Sequence, residues 1–317
     1  MIDEFGFAVL GLVILLLAGD VLVKGAVNLA LRLGIPALIV SLTIVAFGTS
    51  APELLISIQS ILDGVPGLAL GNVVGSNTAN VLLVLGIPAL MAGLAATSDT
   101  RREYMFMMAA TVLFIALSFM GPLTWWHGII LLAGLAFVLG DAVRKARAHR
   151  KAVNGAVDEL DDLEEADPDM PWWKIGLYLV LGLVGLPLGA SLLIDSATAI
   201  ATEYGISDAV IGLTLVAVGT SLPELATTVM AALRRQADVA IGNVIGSNVF
   251  NLLAIIGVAV FVGPIPVDPE ILRFDLWVML AASLILAPFV FFRWGMGRVV
   301  GLAFTALYVG YILLLLA

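Results

Sequence analysis

The sequence predicts an all-α integral membrane protein whose ten transmembrane helices form two inverted five-helix repeats. Composition is the first observation: 61% of the 317 residues are hydrophobic and 12% are charged, against roughly 45–50% apolar and about 25% charged residues in soluble domains. The second is a series of long apolar runs separated by short polar segments. The third is a pair of motif groups that recur 171 residues apart, which divides the chain into two similar halves.

Ten apolar runs approach the length of about 20 residues that a bilayer-spanning helix needs. The predicted spans are Phe5–Leu31, Pro36–Leu62, Gly67–Leu90, Tyr104–Met120, Trp126–Val143, Trp173–Thr202, Asp208–Leu233, Val239–Val262, Ile271–Phe292 and Met296–Leu316. They place the first half at 1–143, a charged linker at 144–172 and the second half at 173–317.

The distribution of Lys and Arg predicts the topology, because cytoplasmic loops carry an excess of positive charge. With the N-terminus outside, only Arg273 falls on the outer side, and Lys24 lies within the first span. The remaining Lys and Arg border the cytoplasm, and we expect a multi-pass protein of the plasma (inner) membrane with a cytoplasmic linker. Lys24 follows Asp20 by four residues, which predicts an ion pair between successive turns of the first helix.

The repeat offset predicts that the two halves are inverted. It contains five spans, an odd number, so the second half must enter the membrane from the opposite side, as in many secondary transporters. Much of the net charge of −9 comes from eight carboxylates between Asp158 and Asp169, which predict a solvated linker. Lys and Arg are scattered, so nothing indicates a nucleic-acid partner, and the lack of Cys excludes disulfides.

Each half carries an acidic residue inside an apolar run. The first copy reads Gly-Thr-Ser-Ala-Pro-Glu at 48–53, and the second reads Gly-Thr-Ser-Leu-Pro-Glu at 219–224. A carboxylate near the bilayer centre costs about 2.5–3.5 kcal/mol on insertion scales, which makes Glu53 and Glu224 candidates for a functional site. Because they hold matched positions in inverted halves, we expect them to meet near the membrane midplane.

Oxygen atoms surround both carboxylates in the sequence. Pro52 and Pro223 lack an N–H and clash with the carbonyl four residues back, so we expect carbonyls around Gly48 and Gly219 to be freed. The candidate side-chain ligands beside these breaks are the hydroxyls of Thr49, Ser50, Thr220 and Ser221.

A second motif supplies the other wall of the predicted site. It reads Gly-Asn-Val-Val-Gly-Ser-Asn at 71–77 and Gly-Asn-Val-Ile-Gly-Ser-Asn at 242–248. The candidate ligands from this wall are Ser76, Ser247, Asn80 and Asn251. Its glycines permit close helix approach, and we expect both motif types to interrupt their helices. Asn72 and Asn243 can cap the broken ends or face the site.

The combined site predicts a hard cation as ligand. Carboxylate, hydroxyl, amide and carbonyl oxygens suit Ca²⁺ or Na⁺ better than softer transition metals. Two carboxylates balance one Ca²⁺ or two Na⁺, and a site that accepts either cation is what exchange requires.

These motifs resemble the two alpha-repeats of the calcium/cation antiporter superfamily, in particular the prokaryotic type of its sodium/calcium exchanger branch. The resemblance covers nearly the whole chain. It implies a ten-helix fold in which the first and sixth helices slide across the other eight. The ligand set that it implies is Glu53, Glu224, Thr49, Ser50, Thr220, Ser221, Ser76, Ser247 and the main-chain oxygens of Ala46 and Ala217, with Asn80 and Asn251 near the centre. Many relatives carry Asp at the position of Asn251.

The expected function is Na⁺/Ca²⁺ exchange by alternating access, with no cofactor and with the lipid bilayer as the only evident partner. Proton/calcium or other cation/proton exchange is the alternative, because membrane Glu residues also carry protons. Members of that branch usually have a Glu where this chain has Gly75 and Gly246. A cation channel is more remote, and an enzyme is disfavoured because the motifs contain no His or Lys to act as a base.

Overall fold

Helices make up almost all of the computed structural model, which describes residues 2–95, 99–153, 167, 169–204 and 217–316. Apart from two isolated backbone bridges, these residues form no β-structure. Bridging their internal irregularities, the helices are α1 (Ile2–Leu33), α2 (Ala37–Leu62), α3 (Pro66–Met91), α4 (Arg101–Ser118), α5 (Trp125–Val153), α6 (Trp172–Glu203), α7 (Leu222–Leu233), α8 (Ala237–Ala259), α9 (Ile271–Phe291) and α10 (Arg298–Leu316).

Eight helices in the described ranges are long and apolar enough to cross a membrane. The two others are α4, which begins with Arg101, Arg102 and Glu103, and α7, which is short. The first part of the predicted seventh span, 208–216, lies outside the described residues. The structure therefore confirms an all-helical membrane protein, and the count of ten spans stays a prediction.

The helix α5 continues to Val153, ten residues beyond the predicted span end at Val143. The first part of the predicted linker therefore extends this helix, and most of the acidic run lies outside the described residues. The other end of the linker contacts α1. The Arg32 guanidinium donates to the Met170 carbonyl at 2.9 and 3.1 Å, and the Asp167 N–H donates to Asn28 Oδ1 at 2.9 Å.

The predicted breaks at the first motif are confirmed in both copies. The helix α2 is interrupted at Ser50 (φ −85°, ψ 3°), and α7 begins after Ser221 (φ −89°, ψ 4°). Pro52 and Pro223 lie in the first turn of the helix that restarts, where a missing N–H leaves no intrahelical bond unmade.

The predicted interruption of α3 and α8 at the second motif is wrong. The motif lies within continuous α-helix, Pro66–Ala79 in α3 and Ala237–Val249 in α8. The irregularities follow it as π-helical turns at Asn80–Val84 and Phe250–Ile255. Glycine weakens a helix by only about 1 kcal/mol, which tertiary packing readily offsets. Single π-turns often mark functional sites, and here each begins at or beside a predicted amide ligand.

The centre of the molecule is formed by α3 and α8. Buried positions make up 83% of the most apolar window of α3 and 100% of that of α8, against 22–50% in the other helices long enough to span. Both central helices carry the second motif, so its polar groups lie where neither lipid nor bulk water can satisfy them.

The helices α1 and α6 pack closely against each other through glycines. A Cβ on Gly11 would lie 2.7 Å from the backbone nitrogen of Leu193, and a Cβ on Gly25 would lie 3.0 Å from the Leu179 side chain. Contacts thus run in opposite order along the two helices, which are antiparallel. Because α6 repeats α1 at the 171-residue offset, this direction is the one that inverted halves require.

An ion-pair network joins α1 to the end of α7. The predicted pair between Lys24 and Asp20 is confirmed, with Nζ 3.3 Å from Oδ2. Asp20 also pairs with Arg234, directly after α7. Nearby, Gly19 lies close to the Ala226 carbonyl, which a Cβ would approach to 3.0 Å. The first helix is therefore held to the helix that carries Glu224.

Candidate cation site

The two predicted acidic residues occupy equivalent, fully buried positions. Glu53 lies in the first turn after the break in α2, and Glu224 lies in the first turn of α7. Neither side chain has accessible surface. The N-terminal end of a helix favours a negative charge, so each break places a carboxylate where the helix dipole stabilises it.

The two halves contribute to one site. The Ser50 hydroxyl donates to Glu224 Oε1 at 3.1 Å, although these residues are 174 positions apart. The Ser247 hydroxyl donates to the same oxygen at 3.4 Å and lies 3.5 Å from the Thr49 hydroxyl. Residues from both motif types and both halves therefore converge on one carboxylate.

Several buried oxygens of the site lack a protein partner. Across the described part of the chain, no hydrogen bond reaches either carboxylate oxygen of Glu53 or Glu224 Oε2. The other site atoms without a partner there are Ser76 Oγ, Asn77 Oδ1, Ser221 Oγ, Asn80 Oδ1 and both polar atoms of the Asn251 side chain. An unpaired buried carboxylate is strongly destabilising, so an arrangement of converging, unpaired oxygens fits the donor set that a hard cation binds.

Asn72 and Asn243 connect the helices around the carboxylates. The Asn243 side-chain amide donates to the Glu224 carbonyl at 3.5 Å and to Thr228 Oγ1 at 3.2 Å. Asn72 donates in the same way to the Glu53 carbonyl and to Ser57 Oγ, both at 3.4 Å. Each amide therefore ties α3 or α8 to the helix turn that carries a Glu. The Asn243 oxygen also accepts the Thr49 hydroxyl at 3.4 Å, so Asn243 faces the candidate site as well.

The main-chain candidates lie at the breaks, and the two breaks differ. The Ala46 carbonyl accepts the Ser50 N–H at 3.0 Å and the Thr49 hydroxyl at 3.3 Å. In the second copy, the Ser221 N–H donates to Val218 at 3.1 Å. Ala217 begins the short helical turn Ala217–Gly219 that precedes α7. The remaining candidate of this segment, the buried Thr220, follows that turn.

The second motif brings α8 into backbone contact with α2. A Cβ on Gly246 would lie 2.5 Å from the Leu42 carbonyl oxygen and 2.6 Å from Ala46 Cβ. In the first copy, nothing among the described residues lies within 4 Å of a Cβ on Gly71 or Gly75. The residues equivalent to the α2 segment that contacts Gly246 lie 171 positions further along the chain. Most of them fall in 205–216, outside the described residues.

Two asparagines of the site were missed by the sequence analysis. Asn77 and Asn248 end the two copies of the second motif and are 1% exposed. Asn248 Oδ1 accepts a hydrogen bond from the Asn80 amide at 3.1 Å. Their occurrence at matched positions in both copies was the available signal.

Comparison with known proteins gives consistent matches over nearly the full chain. The family model described as sodium/calcium exchanger protein matches residues 4–140 and 174–317. The putative antiporter CaxA of Alkalimonas amylolytica is 39% identical, with 88% of this chain and 87% of that protein covered. The sodium/calcium exchanger MaX1 of Methanosarcina acetivorans is 34% identical, with 98% of each covered. A solved structure of the sodium-calcium exchanger NCX_Mj, soaked with 2.5 mM Na⁺ and 1 mM Sr²⁺, matches with a TM-score of 0.83 at 30% identity, covering 98% of this chain and 97% of that chain.

Proposed function

Because the chain belongs to the sodium/calcium exchanger protein family, we propose that it is a secondary antiporter that exchanges Na⁺ for Ca²⁺ across the membrane. The observation that carries this proposal is a pair of fully buried carboxylates, Glu53 and Glu224, at matched positions of the two motif copies, with Ser50 of the first copy donating to Glu224 of the second. Their combined charge matches one Ca²⁺ or two Na⁺. A site that is costly to leave empty favours the exchange of one cation for another.

We assign the cation ligands to the oxygens around these carboxylates. Support comes from the burial of the side-chain candidates and from the unpaired atoms among the described residues. The proposed set is Glu53, Glu224, Thr49, Ser50, Thr220, Ser221, Ser76, Ser247, Asn80, Asn251 and the main-chain oxygens of Ala46 and Ala217. Ca²⁺ takes six to eight oxygen ligands in a flexible arrangement, so different subsets can serve different ions.

Alternating access is proposed to involve movement of the α1–α6 pair against the other helices. Its support is that most of the buried apolar residues of these two helices lie apart from the main core, in a second cluster to which α2 adds Val40 and Val45 and α7 adds Ala226. The antiparallel packing of the pair supports two inverted halves, 1–143 and 173–317, joined by the linker 144–172. In inverted repeats, each half can adopt the conformation that the other half had before. This swap opens one fixed site first to one side of the membrane and then to the other.

The N-terminus is proposed to face outward and the linker to face the cytoplasm of the plasma (inner) membrane. Ion pairs connect the start of α4 to the last part of α5, through Lys145 with Glu103 at 2.6 Å and Arg102 with Asp141. These groups therefore share one side of the helical assembly. Positive charge concentrated on one side is typical of the cytoplasmic face.

Calcium uptake into proteoliposomes tests the function. With Na⁺ inside, we expect uptake of ⁴⁵Ca²⁺ that vanishes when K⁺ or choline replaces Na⁺ and vanishes in Glu53→Gln. The matched control is Glu103→Gln, which makes the same change at a buried Glu that pairs with Lys145 away from the site; it should keep transport.

Three outcomes of that assay would contradict the proposal. Uptake driven by a pH gradient without Na⁺ would indicate proton coupling. Calcium flux that needs no counter-cation would indicate a channel. Full transport in Glu53→Gln would remove this carboxylate from the site.

A further inference from the structure

Four asparagine side chains on the central helices α3 and α8 are buried. Asn77, Asn80, Asn248 and Asn251 are each at most 1% exposed. Asn80 and Asn251 belong to the proposed ligand set, whereas Asn77 and Asn248 have no role assigned so far. An amide can present either its oxygen or its NH₂ group to a neighbour, and only the oxygen can bind a cation. What fixes the orientation of each amide therefore decides whether it is a ligand.

Two hydrogen bonds connect α3 to α8 and α8 to α4, and in each the donor belongs to the first helix of the pair. The Asn80 amide nitrogen donates to Asn248 Oδ1 at 3.1 Å, and the Asn248 amide nitrogen lies 3.6 Å from the Met107 sulfur. A thioether can accept a hydrogen bond but cannot donate one. Met107 therefore favours Asn248 with its NH₂ group toward the sulfur, which turns the Asn248 oxygen toward Asn80.

The same constraint passes to Asn80. Asn80 faces the side-chain oxygen of Asn248 and must therefore present its NH₂ group to it. The Asn80 oxygen then points away from Asn248. Among the described residues that oxygen has no partner, and it has no accessible surface. We propose that Asn248 and Met107 are positioning residues that hold the Asn80 amide with its oxygen available to the transported cation. This inference rests on the proposed exchange function.

The described residues form no equivalent arrangement around Asn251, the counterpart of Asn80. Asn77, the counterpart of Asn248, donates its amide to the Val73 carbonyl of its own helix at 2.7 Å. Within the described ranges, neither polar atom of Asn251 has a partner. The repeat offset places Val278 where the first half has Met107, and valine offers no acceptor. The two proposed amide ligands are therefore unequal: Asn80 is fixed before a cation binds, whereas no described residue fixes Asn251.

The test measures Ca²⁺ affinity of purified, full-length protein from the Ca²⁺ dependence of its melting temperature. Asn248→Leu removes the positioning amide at similar volume, and Met107→Leu removes only the acceptor. Loss of a group that orients a metal ligand typically weakens metal binding about 10- to 100-fold. We expect a loss in this range for Asn248→Leu, and a smaller loss in the same direction for Met107→Leu. The matched control is Met279→Leu, which changes another fully buried Met on α9 and should leave affinity unchanged.

A double-mutant cycle separates positioning from a general packing defect. If Asn248 acts through Asn80, Asn248→Leu should weaken binding little further in an Asn80→Ala background. Full, additive losses in that background would overturn the inference, as would wild-type affinity in both Asn248→Leu and Met107→Leu. If wild-type protein shows no Ca²⁺-dependent shift at all, the proposed function fails and this inference fails with it, which is distinguishable from failure of the positioning role alone.

Discussion

The contact between α8 and α2 at Gly246 gives a prediction whose size follows from the structure. In Gly246→Ala, the new Cβ would lie 2.5 Å from the Leu42 oxygen and 2.6 Å from Ala46 Cβ. Carbon atoms in contact are normally about 3.5–4.0 Å apart, so the helices must separate by about 1 Å. Overpacking of this kind costs about 1–3 kcal/mol. Replacing a helical Gly by Ala returns about 0.5–1 kcal/mol.

The net expectation is a less stable protein with impaired transport. Ca²⁺ ligands lie within about 2.3–2.6 Å of the ion, so a shift of about 1 Å between α2 and α8 would separate Thr49 and Ser50 from Ser247. The assays are the melting temperature in detergent with and without Ca²⁺, and Na⁺-driven ⁴⁵Ca²⁺ uptake in proteoliposomes. The matched control is Gly140→Ala in α5, where no described atom lies within 4 Å of the added Cβ; this variant should be as stable as wild type or more so, with normal uptake.

A wild-type melting temperature and wild-type uptake in Gly246→Ala would refute this reasoning. They would mean that α2 and α8 can separate without disturbing the site, or that the two helices do not touch at this glycine in the working protein. An equal loss of stability and uptake in Gly140→Ala would show that an added methyl group is harmful in any helix. The effect of Gly246→Ala could then not be attributed to its contact with α2.

Two further predictions concern polar contacts. In cation-free protein, Ser50→Ala should lower stability by about 1–3 kcal/mol, because it removes the shorter of two hydroxyl bonds to Glu224. Ser221→Ala should cost less, since no described residue pairs with that hydroxyl; equal losses in the two melting temperatures would contradict the inferred asymmetry. Asp20→Asn should destabilise the protein by about 1–3 kcal/mol, because it removes the Asp20 carboxylate from its pair with the largely buried Arg234. The charge-swapped double variant Asp20→Arg/Arg234→Asp should recover part of that loss, and no recovery would argue against a direct pair.

The repeat made the main features of the site predictable. The Gly, Pro and Glu residues have the same spacing in both copies of the first motif. That repetition is enough to infer a broken helix in each half, because proline cannot donate the hydrogen bond that a continuous helix needs. The same pattern places two carboxylates in the apolar interior, where a bound cation is the natural counter-charge. Glu53 and Glu224 were found in this way, and the structure joins their halves through Ser50.

The continuous course of α3 and α8 was not predictable from the motif itself. Gly and Asn have low helix propensity, which favours an interruption at Gly71–Asn77 and Gly242–Asn248. Tertiary contacts override that preference, because Gly246 fits against the α2 backbone and Asn243 donates to groups on α7. The irregularity moves instead to the π-turns that follow each motif.

The sequence by itself determined the membrane character, the duplicated motifs and the oxygen chemistry of the candidate ligands, because these depend on composition, spacing and residue type. Only the tertiary structure decided which equivalent residues behave differently. Asn80 and Asn251 are interchangeable in the motif, yet the first is held through Asn248 and Met107 and the second is not held by any described residue. The physical reason is that a hydrogen bond depends on the distance and direction between atoms far apart in the chain, and a local motif specifies neither.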